Sequence, residues 1–178
     1  TRCSRDWSSD VCSSDLLYPL AKTVGVYNVD GGSTWGPAKD VAVSGDGRVS
    51  LQDDLRMAAE KEGRRLSADP KPEAGSFYRS DHFSFAKVGV PAISFKAGRD
   101  LVKGGEAEGK RVSDEYNEKR YHQPADEYSP SWDLSGQAQD MNLLYSLGRA
   151  MANSRTWPEW LQGSEFKAER DKTASQRR

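Results

Sequence analysis

The sequence contains little of several residue types, and each shortage narrows the possible functions. Its 178 residues include two histidines, which excludes a metal site built from three imidazoles of this chain. Acidic and basic residues nearly balance, at 27 and 26, so the basic excess of nucleic-acid and anionic-membrane binders is missing. No apolar run approaches the roughly 20 residues that span a bilayer. Hydrophobic residues make up 35% of the chain, so a core is possible but part of the chain lies outside it.

The two ends of the chain differ in composition from its body. Both cysteines, Cys3 and Cys12, lie in residues 1–16, where Cys-Ser-Arg-Asp nearly repeats as Cys-Ser-Ser-Asp. This stretch has no apolar periodicity, and we interpret it as a non-native leader, with a disulfide between the cysteines as the alternative. The cysteines therefore give no information about the redox compartment. Residues 164–178 carry charges of alternating sign, which predicts a solvated helix or a frayed tail.

The first half of the body contains patterns for two strands and a helix. Val24–Asp30 is a short apolar run that stops at two glycines, as a buried strand followed by a turn does. Lys39–Ser44 predicts a second short strand. A helix is predicted to begin at Ser50, with Asp53 in capping-box spacing, and to end at Gly63.

The second half predicts a further strand and a long helix. Phe77–Phe85 indicates a loop that leads into a short helix, and Val88–Phe95 indicates a buried strand. Lys96–Tyr121 is polar and contains several glycines, which predicts a long loop. Apolar residues at helical spacing predict an amphipathic helix from Asp133 onward, and Trp157–Trp160 is interpreted as an anchor for the chain end. Strands that alternate with helices predict an α/β architecture with a largely parallel sheet.

Two groups of polar residues in the first part of the body are candidates for a functional site. Asp30 follows an apolar strand, and open α/β sheets bind ligands at the carboxyl ends of their strands, so its carboxylate is a candidate metal ligand. The alternative is a cap at the strand exit. Asp81 and His82 lie in the sequence Arg-Ser-Asp-His, where the alternatives are a helix cap and a core histidine.

A third group lies in the sequence Tyr-His-Gln-Pro-Ala-Asp-Glu, which begins at Tyr121. His122 is a candidate zinc ligand, because a neutral imidazole is a common ligand for that ion. The second ring nitrogen of such a ligand needs a carboxylate or carbonyl partner, and Asp126 is close enough in sequence to supply one. Taken alone, a Tyr-His pair in a loop is weak support for a functional role.

Taken together, these motifs resemble the co-catalytic zinc aminopeptidases of metallopeptidase clan MH, family twenty-eight. The resemblance extends from about Leu17 to the region of Trp157. It depends on Asn28-Val29-Asp30, on the sequence RSDHFSFAKVGVPAISF, and on the sequence YHQPADEY. It implies the three-layer phosphorylase/hydrolase-like fold of that family, with a mostly parallel central sheet, of which residues 17–163 form only the carboxyl-terminal part.

The resemblance also implies a role for each candidate residue. Asp30 would bind one of two zinc ions and His122 the other. The Tyr121 hydroxyl would donate a hydrogen bond to the tetrahedral intermediate and so stabilise its oxyanion. Asp126 would accept a hydrogen bond from the ring nitrogen of His122 that does not bind zinc. Two further residues would border the site without binding metal: Asp81 and His82. The implied chemistry is hydrolysis of an amino-terminal peptide bond by a water held between two zinc ions.

The sequence departs from the family pattern upstream of Asp30. The resemblance requires a His-x-Asp element and a Glu-Glu pair there, yet no histidine or glutamate precedes Asp30. Two of the five implied ligands are therefore present, and the general base has no candidate in this chain. We expect the chain to be an inactive fragment of a longer enzyme. The alternative is a non-catalytic binding or assembly domain of the same fold, and a glutaminyl cyclase of the same clan fits the Tyr121-His122 pair less well.

The resemblance finally implies partners and a location. The substrate would be a peptide with a free amino terminus, and the missing amino-terminal half of the same domain would be the macromolecular partner. Neither nucleic acid nor membrane is expected as a partner. The complete enzyme is expected to be exported, to the periplasm or the cell exterior, although this chain has no export signal.

Overall fold

The protein folds around a four-stranded mixed sheet, which a computed structural model describes for residues 17–69 and 72–177. The spatial order of the strands is β1, β4, β2, β3. β1 pairs with β4 and β2 with β3 in parallel, whereas β2 and β4 are antiparallel. The predicted α/β class and the mostly parallel sheet are therefore confirmed. The strands are β1 (Val26–Asn28), β2 (Asp40–Ser44), β3 (Arg65–Ala68) and β4 (Ala92–Ala97).

Helices cover the sheet. All five residues of β2 and the first four of β4 are buried, so side chains on both faces of these central strands are shielded from water. This arrangement is compatible with the expected three-layer, hydrolase-like fold. The α-helices are α1 (Leu51–Lys61), α2 (His82–Lys87), α3 (Gly105–Lys119), α4 (Ser135–Asn153) and α5 (Lys167–Asp171); shorter 3₁₀ turns are Leu20–Lys22, Pro72–Ala74, Ser76–Arg79 and Ala174–Arg177.

The core lies between the sheet and two of these helices, α1 and α4, which pack against each other. Leu51, Leu55 and Ala59 are spaced four residues apart, so they form one buried face of α1, and the helix lies within the range that the sequence predicts. The predicted capping box is wrong, because the Ser50 hydroxyl accepts the Glu159 N–H and makes no cap hydrogen bond to its own helix. Strand β3 lay outside the sequence prediction.

The predicted loop over Lys96–Tyr121 is also wrong, because most of this segment forms α3. Opposite charges at i,i+3 and i,i+4 spacing support this polar helix: they pair Arg111 with both Glu108 and Glu115. Gly109 faces the body of the protein, and a Cβ there would lie 1.9 Å from the Arg99 carbonyl oxygen. Gly109, one of the glycines that suggested a loop, therefore allows the helix to pack closely.

The carboxyl-terminal segment packs on the body more closely than a solvated or frayed tail would. Trp160 is buried, and its indole N–H donates to the Gly89 carbonyl at 2.9 Å, which confirms the predicted anchor. Phe166 is buried against that indole, with ring centroids 4.8 Å apart. Arg170 is buried as well and donates to the Val24 carbonyl. Residues 164–177 thus contain the predicted helix, but apolar contacts hold it in place.

The predicted leader, residues 1–16, lies outside the described residues. Among residues 17–69 and 72–177, no helix combines the length and apolar character needed to cross a bilayer.

Candidate functional site

One candidate region lies where β1 ends, around Asp30. The Asn28 side-chain amide donates to Asp30 Oδ1 at 2.8 Å, to Ser80 Oγ at 2.9 Å and to Ser94 Oγ at 3.3 Å. The Ser80 hydroxyl donates to Asp30 Oδ2 at 2.7 Å. Both carboxylate oxygens therefore accept hydrogen bonds from neutral donors, while Asp30 itself stays exposed to solvent. We call Asn28, Asp30, Ser80 and Ser94 the Asp30 cluster.

The sheet register brings this cluster together. Asn28 is the Cα partner of Ser94 in the parallel pair of β1 and β4, so its side chain reaches the neighbouring strand. Ser80 lies two positions before the short helix α2, which packs on both strands. Ser94 is fully buried, whereas Asp30 is exposed. The cluster therefore connects a solvent-facing carboxylate to the core of the sheet.

His82 lies in the core next to the Asp30 cluster. Its side chain is fully buried, and its ring meets Phe77 edge-to-face with centroids 4.6 Å apart. Neither ring nitrogen has a hydrogen-bond partner among the residues that the structure describes. Burial lowers the pKa of His82 to about 4, although the negative charge of Asp30 acts in the opposite direction. His82 is therefore a neutral core histidine, while Asp81 is exposed and makes no cap hydrogen bond to α2.

The second candidate region is the turn that follows α3, which contains Tyr121 and His122. Both residues are exposed, and their rings stack with centroids 3.9 Å apart. His122 has φ 58°, the one positive φ of a non-glycine residue within the described ranges. A side chain in this left-handed region raises the backbone energy, and such conformations cluster at functional positions. The geometry of this turn therefore supports a functional role for His122.

Asp126 lies in the same turn, and its carboxylate has a tyrosine partner. The Tyr116 hydroxyl donates to Asp126 Oδ2 at 2.9 Å. Burial, with a further contribution from this hydrogen bond, raises the pKa of Tyr116. The expected support of His122 by Asp126 stays a prediction. Sequence reasoning missed Tyr116, whose only signal was an aromatic residue within a polar segment. We call residues 120–126, together with Tyr116 near the end of α3, the His122 turn.

A zinc ion needs a group of ligands, and the described residues do not supply a complete one. Within residues 17–69 and 72–177, no three His, Cys, Asp or Glu side chains come together in a group that could hold a metal ion. The Asp30 cluster contributes one carboxylate, and its other members offer an amide and hydroxyl groups. Structural and catalytic zinc sites use three or four protein ligands. The donor set of the described residues alone therefore does not fit a zinc ion.

The arrangement thus presents two separate sets of chemistry-bearing groups. At the end of β1 lies a fixed, exposed carboxylate, with a neutral imidazole buried next to it. In the His122 turn lie an exposed imidazole and a phenol hydroxyl. These groups are two possible metal ligands of different kinds and one possible hydrogen-bond donor to a substrate.

Comparison with known proteins identifies the family. The model of Peptidase family M28 matches residues 4–146, about four-fifths of the chain. The match includes both candidate regions and extends into residues 4–16, whose interpretation as a leader stays a prediction. No curated protein and no solved structure matches the chain. The chain belongs to peptidase family M28, a family of hydrolases with metallopeptidase-type function.

Proposed function

We propose that the chain is the carboxyl-terminal part of a zinc-dependent aminopeptidase. In this proposal Asp30 binds one zinc ion and His122 binds the other. The observation that carries the proposal is the Asp30 cluster, in which Asn28 and Ser80 fix the carboxylate at the end of β1. Hydrogen bonds of this kind orient metal-binding carboxylates in proteins. The family match and the left-handed backbone of His122 support it further.

The chain alone is proposed to be inactive. No histidine or glutamate precedes Asp30, and no group of three metal ligands forms among the described residues. The complete site would contain two zinc ions, which supply Lewis acidity and an activated water. The missing ligands and the general base would come from the amino-terminal half of the same domain, which is the partner that we propose.

Two exposed features support such a partner. Among the described residues, strand β1 has a neighbouring strand on one side only, which leaves its other edge open to a further strand. Helix α4 exposes two large apolar side chains, those of Met141 and Tyr145, on the side opposite its buried residues, and Leu134, directly before the helix, is exposed as well. An additional strand and helix would cover both features.

We further propose that the complete enzyme is exported.

Tyr121 is the proposed oxyanion stabiliser. Its ring stacks on His122 and about half of its side chain is exposed, so its hydroxyl is accessible to a substrate beside that imidazole. In peptide hydrolysis the carbonyl oxygen becomes negative, and a phenol hydroxyl donates a stronger hydrogen bond to that charge than to the neutral carbonyl. The proposed substrate is a peptide with a free amino terminus.

The proposal is tested by complementation. The purified chain with added Zn²⁺ is incubated with a fluorogenic aminoacyl amide, alone and together with a polypeptide that carries a family His-x-Asp element and Glu-Glu pair. We expect no hydrolysis by the chain alone and zinc-dependent hydrolysis by the mixture. Asp30→Asn should abolish that activity, whereas Asp46→Asn, at an exposed turn residue, should not.

Two outcomes would contradict the proposal. Zinc-dependent hydrolysis by the chain alone would show that the site has been misassigned. A mixture that forms a stable complex but hydrolyses nothing would favour the alternative, a non-catalytic binding or assembly domain.

A further inference from the structure

We infer that Tyr116 is a positioning residue that sets the orientation of the Tyr121 and His122 rings, and that Trp35 connects this unit to the segment following Asp30. The inference rests on the proposed function only in treating His122 as a metal ligand. The contacts that carry it are a pair of backbone hydrogen bonds, a side-chain hydrogen bond and a series of ring contacts.

The backbone of Tyr116 fixes the start of the His122 turn. Its carbonyl oxygen accepts the N–H groups of both Arg120 and Tyr121, each at 2.9 Å. Helix α3 therefore ends by turning back on Tyr116, because one carbonyl holds two successive amides. The next contact, from the Gln123 N–H to the Arg120 carbonyl at 2.8 Å, closes a tight turn around His122. This closure accompanies the left-handed φ of His122.

The side chain of Tyr116 fixes the far end of the same turn. Its hydroxyl donates to Asp126 Oδ2 at 2.9 Å, so one residue binds the chain on both sides of His122. A phenol is protonated near neutral pH and can donate, and burial raises the pKa of Tyr116 further in the same direction. Hydrogen bonds to a charged acceptor are stronger than those between neutral groups, which makes this contact a substantial restraint for an exposed turn.

Ring contacts then extend from Tyr116 in both directions. Its centroid lies 6.0 Å from that of Tyr121, which stacks on His122 at 3.9 Å. On the other side it meets Trp35 at 6.1 Å in an edge-on arrangement. Trp35 lies five positions after Asp30, and its backbone forms a bridge with Asp133 just before α4. The rings thus connect the His122 turn to the part of the chain that contains Asp30.

Two variants separate positioning from simple packing. Tyr116→Phe keeps the ring and the backbone carbonyl and removes only the hydroxyl. Tyr116→Leu also removes the ring contacts with Tyr121 and Trp35. Tyr145→Phe is the matched control, because Tyr145 is an exposed tyrosine on α4, outside the His122 turn.

The readout is the NMR signals of the imidazole ring of His122 in the full chain without metal or substrate. The chain has two histidines, so His122→Gln identifies the signals of His122 and leaves those of the buried His82 as an internal reference. In the wild type we expect the His122 ring protons to be shifted by the stacked Tyr121 ring.

Tyr116→Phe should move these signals toward those of free histidine and raise the exchange rate of the Asp126 amide about fivefold. Tyr116→Leu should have a larger effect on both. The His82 signals and the urea midpoint should stay unchanged, as they should throughout in Tyr145→Phe.

Unchanged His122 signals in both Tyr116 variants would overturn the inference. A shift of the His82 signals together with a lower urea midpoint would also overturn it, since it would show that Tyr116 stabilises the whole fold. The measurement needs neither zinc nor hydrolysis. A positive result combined with an inactive mixture in the complementation experiment would therefore retain the positioning role and reject the proposed function.

Discussion

The Asp30 cluster and the His122 turn hold their candidate ligands by different means. Asp30 accepts hydrogen bonds from Asn28, two positions away, and from Ser80, 50 positions away, and Asn28 also donates to the fully buried Ser94 of β4. His122 is fixed by residues within six positions of it on either side, in an exposed turn. The first region therefore depends on global stability, whereas the second depends on a few local contacts.

The two ligands of the proposed site are therefore held in place by different kinds of contact. A carboxylate tied to the core keeps its place as long as the sheet is folded. An imidazole on a surface turn can move without unfolding the protein, so it needs its own restraint, which Tyr116 provides. Substitutions near the Asp30 cluster should consequently change the free energy of unfolding of the whole protein, whereas substitutions in the His122 turn should have smaller, local effects.

The largest effect is expected from the core of the sheet, in the strand that contains Ser94. Phe95, the neighbour of Ser94 in β4, is fully buried. Phe95→Ala should lower the free energy of unfolding by about 3–5 kcal/mol, because it removes buried apolar surface and leaves a cavity. Urea denaturation followed by circular dichroism measures the loss. Tyr145→Ala, at an exposed position, should change it by less than about 0.5 kcal/mol. Equal losses in the two variants would contradict the assignment of the core.

The next effect is a pH dependence from His82. Its folded pKa of about 4 lies below the ordinary value of 6.5, so the unfolded chain binds the proton more readily. The free energy of unfolding should therefore fall as the pH falls from about 6.5 to 4, by about 3 kcal/mol in total. His82→Leu should remove this contribution. Since neither ring nitrogen has a partner within the described part of the chain, the substitution should cost little stability at pH 7. Parallel pH profiles for the two proteins would rule out a buried neutral His82.

A smaller effect is expected at the Asp30 cluster itself. Asn28→Ala removes the amide that donates to Asp30, Ser80 and Ser94, and it should lower the free energy of unfolding by about 1–2 kcal/mol. Asn117→Ala is the matched control, because Asn117 is an exposed asparagine of α3. Urea midpoints measure both. A loss no greater than that of the control would mean that the amide does not hold the cluster together.

The smallest effect has the opposite sign and lies in the His122 turn. His122→Gly should raise the free energy of unfolding by about 0.5–1 kcal/mol, since glycine adopts a positive φ without the steric cost of a Cβ. His122→Ala keeps that cost and should give no such gain. If both variants were equally stable, the left-handed backbone would not be a source of strain in this turn.

The sequence predicts the Asp30 region better than the His122 turn, and the reason is physical. Strands β1 and β4 and helix α4 are predictable because apolar runs and helical periodicity reflect burial. Helix α3 was missed because charged pairs, rather than an apolar face, support it. Its i,i+4 pairs were the available signal.

The partners within each region were harder to predict. Ser80 and Ser94 lie 52 and 66 positions from Asn28, so their contacts depend on sheet register and on the packing of α2. The motif places Asp30 at a strand end, but it does not indicate which residues hold its carboxylate. For Asp126, proximity in sequence suggested His122 as a partner, whereas the hydrogen bond in the structure comes from Tyr116 at the end of α3.

Zinc binding by the chain alone tests the central claim, that this chain carries two ligands of a site it does not complete. The measurement is calorimetric titration with Zn²⁺ of a variant with Cys3→Ser and Cys12→Ser, so that the two thiols cannot contribute. We predict binding in the micromolar range or weaker, nearly unchanged by Asp30→Asn or His122→Gln, because no group of three ligands forms among the described residues. Stoichiometric nanomolar binding of two ions that is lost in Asp30→Asn would contradict the account.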